Sequence, residues 1–190
     1  GHQQIKWGGK CPQCQEWNTL VEEVQSNTVR GPSVEAIALT DVPKEHNGKM
    51  RLRTQIGELD TLLGGGLVSG SLTLIGGDPG VGKSTLLLMV AGKLAERGLP
   101  VLYASGEESA QQIQIRAQRL GVFSEHLFLL PTSKFDDIKA AAKKLKPVLV
   151  IIDSVQTVAI ADMPSHAGSV GQVRAVAHEA MVFAKQNHIS

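Results

Sequence analysis

GGDPGVGKST, residues 76–85, is the stretch that decides the fold of this 190-residue chain. Residues 77–84 match the pattern G-x-x-x-x-G-K-[ST] at every fixed position. Glycines let the backbone turn tightly and point several N–H groups into one concave anion site. A helix that begins at such a loop directs the positive end of its dipole at the same point. The stretch therefore predicts the phosphate-binding loop of a nucleotide-binding domain.

The sequence on both sides of the loop fits this prediction. Ser71–Ile75 (SLTLI) is a short β-rich run, and Thr85–Arg97 has the composition and length of a helix. A glycine-rich turn without a ligand is the simpler alternative, which both flanks disfavour. We expect Lys83 to reach the β- and γ-phosphates as a catalytic residue and Ser84 to ligate Mg²⁺. The predicted nucleotide-binding residues are Gly77, Asp78, Pro79, Gly80, Val81, Gly82, Lys83, Ser84 and Thr85.

The composition is that of an ordinary globular chain, with 42% hydrophobic and 19% charged residues and a net charge of +1. No run of about 18 apolar residues is present, so we expect no membrane span. With no visible secretory signal, the expected location is the cytoplasm. The near-neutral charge gives no global attraction to nucleic acid, so a DNA-binding surface would have to be local.

The two cysteines of the chain, Cys11 and Cys14, form a C-x-x-C pair. Two cysteines are too few for a disulfide framework, which favours a reducing compartment. Flanked by Gly8–Gly9 and Trp17, the pair is typical of half a zinc ribbon, although zinc takes four ligands. A redox pair and an unliganded pair are the alternatives.

Three segments follow from these patterns. Residues 1–24 form a truncated zinc-ribbon-like segment, and residues 25–50, rich in Ser, Asn, Pro and Gly, form a linker. Residues 51–190 form the main domain, which we expect to be incomplete at its C-terminal side because another strand would begin near residue 188.

Strands and helices alternate in residues 51–190, which predicts an α/β domain with a mostly parallel central sheet flanked by helices. The predicted strands are Leu72–Gly76, Pro100–Ala104, His126–Leu130 and Val148–Asp153. The predicted helices are a short stretch at 56–63, Thr85–Arg97, Glu108–Leu120, Phe135–Leu145 and Gly171–Asn187. Ligands of such sheets bind at the carboxyl ends of the strands, where the phosphate-binding loop, Glu107 and Asp153 all fall.

Acidic residues follow two of these strands. Asp153 ends the apolar run VLVIID and, beside a phosphate-binding loop, is predicted to hold Mg²⁺ through water. Glu107 is predicted to orient and deprotonate the water that attacks the γ-phosphate. Capping of a turn or a helix is the alternative role for either residue. Glu108 takes the capping or supporting role.

Five stretches carry a resemblance to a known family. LGGGLVSGSLTLIGGDPGVGKST (63–85), VLYASGEES (101–109) and VLVIIDSVQT (148–157) resemble the RecA-like ATPase core. WGGKCPQCQEWNTLVEE (7–23) resembles the second half of a four-cysteine zinc motif, and GSVGQVRAVAHEAM (168–181) resembles the segment after the acid-bearing strand. Together they resemble the bacterial RadA (Sms) family over nearly the whole chain.

This resemblance implies a DNA-dependent, helicase- or translocase-like ATP hydrolase of DNA repair and recombination. The implied assembly is a homo-hexameric ring that acts with a RecA-type recombinase on single-stranded DNA and branched recombination intermediates. The implied cofactors are ATP or ADP, Mg²⁺ and, in the intact protein, Zn²⁺, with Cys11 and Cys14 as half of the zinc site. Lys83, Ser84 and Asp153 keep the roles given above, and Glu107 matches the catalytic glutamate.

The resemblance also gives the loop at residues 160–172 a DNA-facing role. The predicted DNA-contacting residues are Ser165, His166, Gly168, Ser169, Gln172 and Arg174. From the residues alone, the lack of aromatic side chains and the single nearby cation favour a disordered surface loop.

Some features of the family are missing from this sequence. These are the first cysteine pair of the zinc site, a later Lys-Asn-Arg-Phe-Gly motif and a C-terminal Lon-protease-like domain. Two other functions therefore stay open. One is a nucleotide-gated switch or kinase of the KaiC type without DNA motor activity, and the other is a non-catalytic DNA-binding adaptor.

Overall fold

A computed structural model of the chain describes residues 15–17, 36–41, 51–161, 163 and 165–190. The chain divides into two compact units, Gly1–Pro43 and Lys44–Ser190. In the first unit the described residues include a 3-10 helix, Leu39–Asp41. Cys11 and Cys14 lie outside the described residues, as do the boundaries expected near residues 24 and 50, so the zinc half-site and the three-segment division stay predictions.

A parallel sheet forms the centre of the second unit. Two short strands, β1 (Arg51–Leu52) and β2 (Leu67–Val68), pair antiparallel with each other. In the main sheet, β3 (Val101–Ser105) lies between β4 (Leu127–Pro131) and β5 (Leu149–Asp153), and all three run parallel. Ser105 is paired with Pro131 on one side and with Asp153 on the other, so the three strands end together at one edge.

Helices cover both faces of this sheet, because successive strand residues point to opposite sides. Val101 and Tyr103 pack in one core with residues of the second and third helices, while Leu102 and Ala104 pack in another with residues of the fourth and fifth. The second unit is therefore a three-layer α/β/α domain, which confirms the predicted fold class. The helices are α1 (Gly57–Leu62), α2 (Lys83–Ala95), α3 (Ala110–Arg119), α4 (Phe135–Leu145) and α5 (Val170–Asn187).

One predicted strand, Leu72–Gly76, is wrong. Residues 71–78 carry no strand, and Leu72 and Leu74 are 47% and 80% exposed. A β-rich sequence forms a strand only where a neighbour takes its backbone hydrogen bonds. The described strands pair with one another instead, and Ser190 exchanges backbone hydrogen bonds with Val148 and Val150 at the start of β5. The run that leads into the phosphate-binding loop thus pairs with none of the described strands.

The other predicted elements are confirmed, with ends that differ by at most two residues. Differences of two residues occur at both ends of α2, which begins at Lys83 inside the glycine-rich motif instead of at Thr85, and at the start of α3. None of the helices that the structure describes combines the length and the apolar character that a membrane span requires.

Candidate active site

The glycine-rich loop leads directly into α2. Gly80 and Gly82 have φ angles of +80° and +100°, which residues with a side chain rarely adopt. Nothing lies within 4 Å of a Cβ placed on either glycine, so the requirement there is conformational and not steric. Gly82 is the N-cap of α2 and offers no side-chain hydrogen bond to the first turn. Its leading N–H groups are therefore available to an anion.

Lys83 lies across this loop. Its Nζ donates hydrogen bonds to the backbone oxygens of Gly77 and Asp78, at 2.7 and 2.8 Å. An ammonium group has three donors, so these two carbonyls leave one for another acceptor. The arrangement holds a positive charge at the mouth of a site already lined by N–H groups.

Asp153, the last residue of β5, meets α2 and β3 at the carboxyl edge of the sheet. Ser84 Oγ donates to Asp153 Oδ1 at 3.0 Å, and the Tyr103 hydroxyl donates to Oδ2 at 2.5 Å. Burial raises the pKa of Tyr103, and the hydrogen bond to the Asp153 carboxylate raises it further, well above its usual range. The Tyr103 hydroxyl therefore keeps its proton at neutral pH.

Arg116, on α3, closes this cluster from the other side. Its Nη2 donates to the Tyr103 hydroxyl at 3.3 Å and lies 2.7 Å from Glu108 Oε2 and 3.9 Å from Asp153 Oδ2. The capping role expected of Glu108 is taken instead by Ser109, whose Oγ accepts a hydrogen bond from Gln112 N. Glu108 supports the site through Arg116.

Sequence reasoning did not single out Tyr103 or Arg116 as site residues. A signal for Tyr103 was present, because it is the only tyrosine of the chain and stands in an otherwise aliphatic strand. A buried tyrosine hydroxyl needs a hydrogen-bond partner. Nothing in the sequence identified that partner as Asp153, which is 50 residues away along the chain.

Glu107 lies in the loop after β3. Ser105 Oγ accepts hydrogen bonds from the backbone N–H groups of Glu107 and Glu108, at 3.3 and 3.1 Å, and so shapes the turn. Ser154, the residue after Asp153, donates its hydroxyl to Glu107 Oε1 at 2.9 Å. The two predicted acids, Glu107 and Asp153, thus lie at one edge of the sheet. They are linked through Ser154, which follows Asp153 in the chain and bonds to Glu107.

The turn that carries Glu107 also contacts the segment after β5. A Cβ added to Gly106 would lie 2.5 Å from Thr157 Oγ1, which leaves no room for a side chain. Thr157 belongs to the short 3-10 helix Val155–Thr157 that leads toward residues 160–172. The segment that leads toward residues 160–172 therefore contacts the backbone next to Glu107.

Two cavities lie at opposite edges of the sheet. One of about 450 Å³, lined by residues 105–109 and 131–134, opens beside Glu107 at the carboxyl edge. The larger one, of about 580 Å³, lies at the amino ends of the strands, where Arg51, Arg97 and Lys143 contribute to its lining. It contains none of the predicted catalytic groups, so the carboxyl edge is the candidate active site.

The residues at this edge fit a nucleotide with Mg²⁺. A serine hydroxyl and a carboxylate 3.0 Å apart are oxygen ligands of the kind that Mg²⁺ takes alongside phosphate oxygens and water. Within the described ranges, no group of three or more His, Cys, Asp or Glu side chains is placed to hold a metal by itself. Ser84 and Asp153 would therefore share the ion with the phosphates.

The predicted DNA-contacting residues divide into exposed and structural groups. His166, Gly168 and Arg174 are exposed. Ser169 is the N-cap of α5, where its Oγ accepts a hydrogen bond from Gln172 N, and Ser165 is partly buried. Asp162 and Pro164, within the same loop, lie outside the described residues.

Gln172 conflicts with the predicted DNA contact, because its side chain is only 1% exposed. Its amide bonds to the backbone of Ile160 and Ser165 in the preceding loop. Ile160 N donates to Oε1 at 3.1 Å, and Nε2 donates to the backbone oxygens of Ile160 and Ser165 at 3.3 and 2.9 Å. The Gln172 side chain therefore holds the loop together and does not face a ligand.

Comparison with known families identifies the family to which the chain belongs. Residues 48–185 match the family described as AAA domain, and residues 1–22 match the family described as rubredoxin metal binding domain. The first match covers more than half of the chain, so the chain belongs to the AAA domain family, and its main domain is an ATPase domain.

Three curated proteins with similar sequences carry the same name. The chain is 45% identical over 188 residues to the DNA repair protein RadA of Chlamydia muridarum, covering 97% of this chain and 41% of that protein. It is 45% identical over 193 residues to RadA of Aquifex aeolicus and 43% identical over 204 residues to RadA of Bacillus subtilis, covering 100% of this chain and 43% of each relative. The chain thus spans about two fifths of these curated relatives, and its resemblance to RadA is confirmed.

Proposed function

We propose that this chain is the ATP-hydrolysing core of a DNA-dependent motor of DNA repair and recombination. The observation that supports it most is the meeting of four groups at one edge of the sheet. Lys83 lies on the glycine-rich loop, Ser84 contacts Asp153 at 3.0 Å, and Glu107 is bonded to the residue after Asp153. The DNA-repair part of the proposal rests on the relatives, which are named for that process.

The chemistry proposed is in-line attack of water on the γ-phosphate of ATP. The loop N–H groups and Lys83 bind the phosphates and stabilise the charge that develops on them. Mg²⁺, when bound by Ser84 and Asp153, supplies further charge neutralisation at the phosphate oxygens. Glu107, oriented by the Ser154 hydroxyl, accepts the proton of the attacking water.

Coupling to DNA is proposed through the segment after β5. The exposed residues His166, Gly168 and Arg174 would contact single-stranded DNA, with Arg174 on a phosphate. The same segment contains Thr157, which lies against Gly106, next to Glu107. Contact with DNA would thus act on the residue that activates water.

The remaining features of the proposal follow the RadA resemblance. They are a homo-hexameric ring in the cytoplasm, a RecA-type recombinase as partner and branched recombination intermediates as substrates. Zn²⁺ would bind the N-terminal segment through Cys11 and Cys14 together with ligands beyond this pair, a role supported by the match of residues 1–22 to a metal-binding family.

The decisive experiment measures ATP hydrolysis by this chain with and without single-stranded DNA. We expect DNA to stimulate hydrolysis, and we expect Lys83→Ala to lower the rate by about 100-fold or more because a preorganised charge is lost. Lys93→Ala, at the other end of α2, is the matched control and should hydrolyse ATP normally.

Other results would favour the alternatives. Hydrolysis that ignores DNA would support the KaiC-type switch or kinase. DNA binding that survives Lys83→Ala, with no hydrolysis by the unmodified chain, would support the adaptor.

Glu107→Gln tests the proposed base separately. The amide cannot accept the water proton, so hydrolysis should fall by about 10²- to 10⁴-fold while nucleotide affinity stays the same. Affinity is measured with a fluorescent ATP analogue, and Glu125→Gln, on an exposed turn, serves as the control. Normal hydrolysis by the Glu107→Gln variant would assign the base to another residue.

A further inference from the structure

The carboxylate of Asp153 is held by two hydroxyl groups on opposite oxygens, and only one of them belongs to the phosphate-binding motif. Ser84 donates to Oδ1, while Tyr103, from the middle of β3, donates to Oδ2. We propose that Tyr103 is a positioning residue that aims the Asp153 carboxylate at the magnesium ion, and that Arg116 acts through Tyr103 by fixing the direction of its hydroxyl proton. This inference rests on the magnesium site proposed above.

The direction of each proton in this cluster follows from the groups involved. Arginine carries donors only, and an ionised carboxylate carries acceptors only. The Tyr103 oxygen must therefore accept from Arg116 Nη2, and its own proton must go to Asp153. The Ser84 proton is likewise committed to Asp153, which leaves the lone pairs of Ser84 Oγ free to face a cation. One orientation of the Asp153 carboxylate satisfies all of these bonds.

Packing alone does not account for this arrangement. Tyr103 is fully buried in an aliphatic core, where a phenylalanine would fill the same space without a polar group to satisfy. Arg116 Nε is also buried, with no hydrogen-bond partner in the part of the chain that the structure describes. Buried polar groups without partners are costly. The Tyr103 hydroxyl and the Arg116 guanidinium both lie next to Asp153, the predicted metal ligand, which points to a role in holding that ligand.

The cluster also reaches the loop that carries the proposed base. Arg116 bridges Tyr103 to Glu108, which is adjacent to Glu107. Strand β3 therefore contributes to the site twice, through Tyr103 within the strand and through the acids that follow it. Groups that orient metal ligands from behind typically change metal affinity about 10- to 100-fold when they are removed.

Tyr103→Phe is the direct test, because it removes only the hydroxyl. Binding of a fluorescent ATP analogue to the 190-residue chain is followed while Mg²⁺ is titrated, and again with a chelator in place of Mg²⁺. We expect the half-saturating Mg²⁺ concentration to rise about tenfold or more, with the affinity measured in chelator unchanged. An unchanged Mg²⁺ requirement in the folded Tyr103→Phe variant would overturn the proposal.

A stability control separates positioning from packing. Val101 lies on the same strand and in the same core as Tyr103, but its side chain has no polar atom that could hold Asp153 or Arg116. Val101→Ala should lower the melting temperature without changing the Mg²⁺ requirement. If Val101→Ala raises that requirement as much as Tyr103→Phe does, the effect belongs to strand stability and the proposal fails.

A double-mutant cycle tests the role given to Arg116. Arg116→Met should raise the Mg²⁺ requirement in the parent chain but add little in the Tyr103→Phe background, since Arg116 acts through the hydroxyl. Fully additive effects would overturn that part of the proposal.

Asp153→Asn distinguishes failure of this inference from failure of the proposed magnesium site. If Asp153→Asn raises the Mg²⁺ requirement and Tyr103→Phe does not, the site stands and the positioning role is wrong. If neither does, the magnesium site itself is wrong.

Discussion

Two helices of this domain begin with the same local pattern, Ser-x-x-Gln. Helix α3 follows Ser109 in SAQQ (109–112), and α5 follows Ser169 in SVGQ (169–172). In both, the serine Oγ accepts a hydrogen bond from the backbone N–H of the glutamine three residues later, at 3.4 and 3.3 Å. Each serine therefore satisfies one of the N–H groups that a helix start leaves without a partner.

The two glutamine side chains have different partners. Gln112 is exposed and folds back, so that its Oε1 accepts from the Ser109 backbone N–H at 2.8 Å and completes a capping box. Gln172 is buried and turns away from its serine to hold the backbone of Ile160 and Ser165. The local pattern thus determines where the helix begins, while the surrounding chain determines what the glutamine binds.

The largest expected difference between the two helix starts is in the glutamines. Gln172→Ala would leave partly buried backbone groups of Ile160 and Ser165 without partners, so the free energy of unfolding should fall by about 2 kcal/mol. Gln112→Ala loses the two exposed hydrogen bonds that Gln112 Oε1 accepts from the Ser109 backbone N–H and hydroxyl, and should cost about 0.5 kcal/mol. Denaturant unfolding of the two variants gives both values.

The same pair of variants tests the placement of Gln172. Equal losses of stability would mean that Gln172 does not hold the loop. If Gln172→Ala kept its stability and instead abolished DNA stimulation, the original prediction of a direct DNA contact would regain support.

The serines should behave alike, which makes them the internal check on the comparison. Ser109→Ala and Ser169→Ala each remove one capping hydrogen bond, at an expected cost of about 1 kcal/mol each. Thermal unfolding of both variants at matched conditions measures the difference. A loss at Ser169 that clearly exceeds the loss at Ser109 would show that Ser169 also supports the loop before α5, in which case the two caps are not equivalent.

The parts of the structure that the sequence predicted well are those set by neighbouring residues. The loop around Gly80 and Gly82 needs positive φ angles, which glycine supplies, and α4 has the ends expected from its pattern. Asp153 was also predicted to lie near the phosphate-binding loop, because such a loop and a strand-end acid meet at the carboxyl edge of a parallel sheet, and Ser84 indeed contacts it.

The parts that it did not predict depend on distant partners. Leu72–Gly76 has the composition of a strand, but no described strand pairs with it. Gln172 was predicted to contact DNA because its true partners are backbone atoms, and bonds to backbone atoms have no signature in the sequence. Tyr103 and Arg116 meet Asp153 only after β3, β5 and α3 have packed.

The smallest expected effect concerns the residue before each glutamine, Gln111 in one helix and Gly171 in the other. Glycine in a helix is less favourable than a residue with a side chain, so Gly171→Ala should raise the free energy of unfolding by about 0.5 kcal/mol. The added Cβ would meet only Ser165 Oγ, at 3.7 Å, which is an ordinary contact. Gln111→Gly should lower stability by a similar amount. Denaturant unfolding measures both changes, and a loss of stability in Gly171→Ala would indicate that the loop at residues 160–165 packs more closely on α5 than this distance implies.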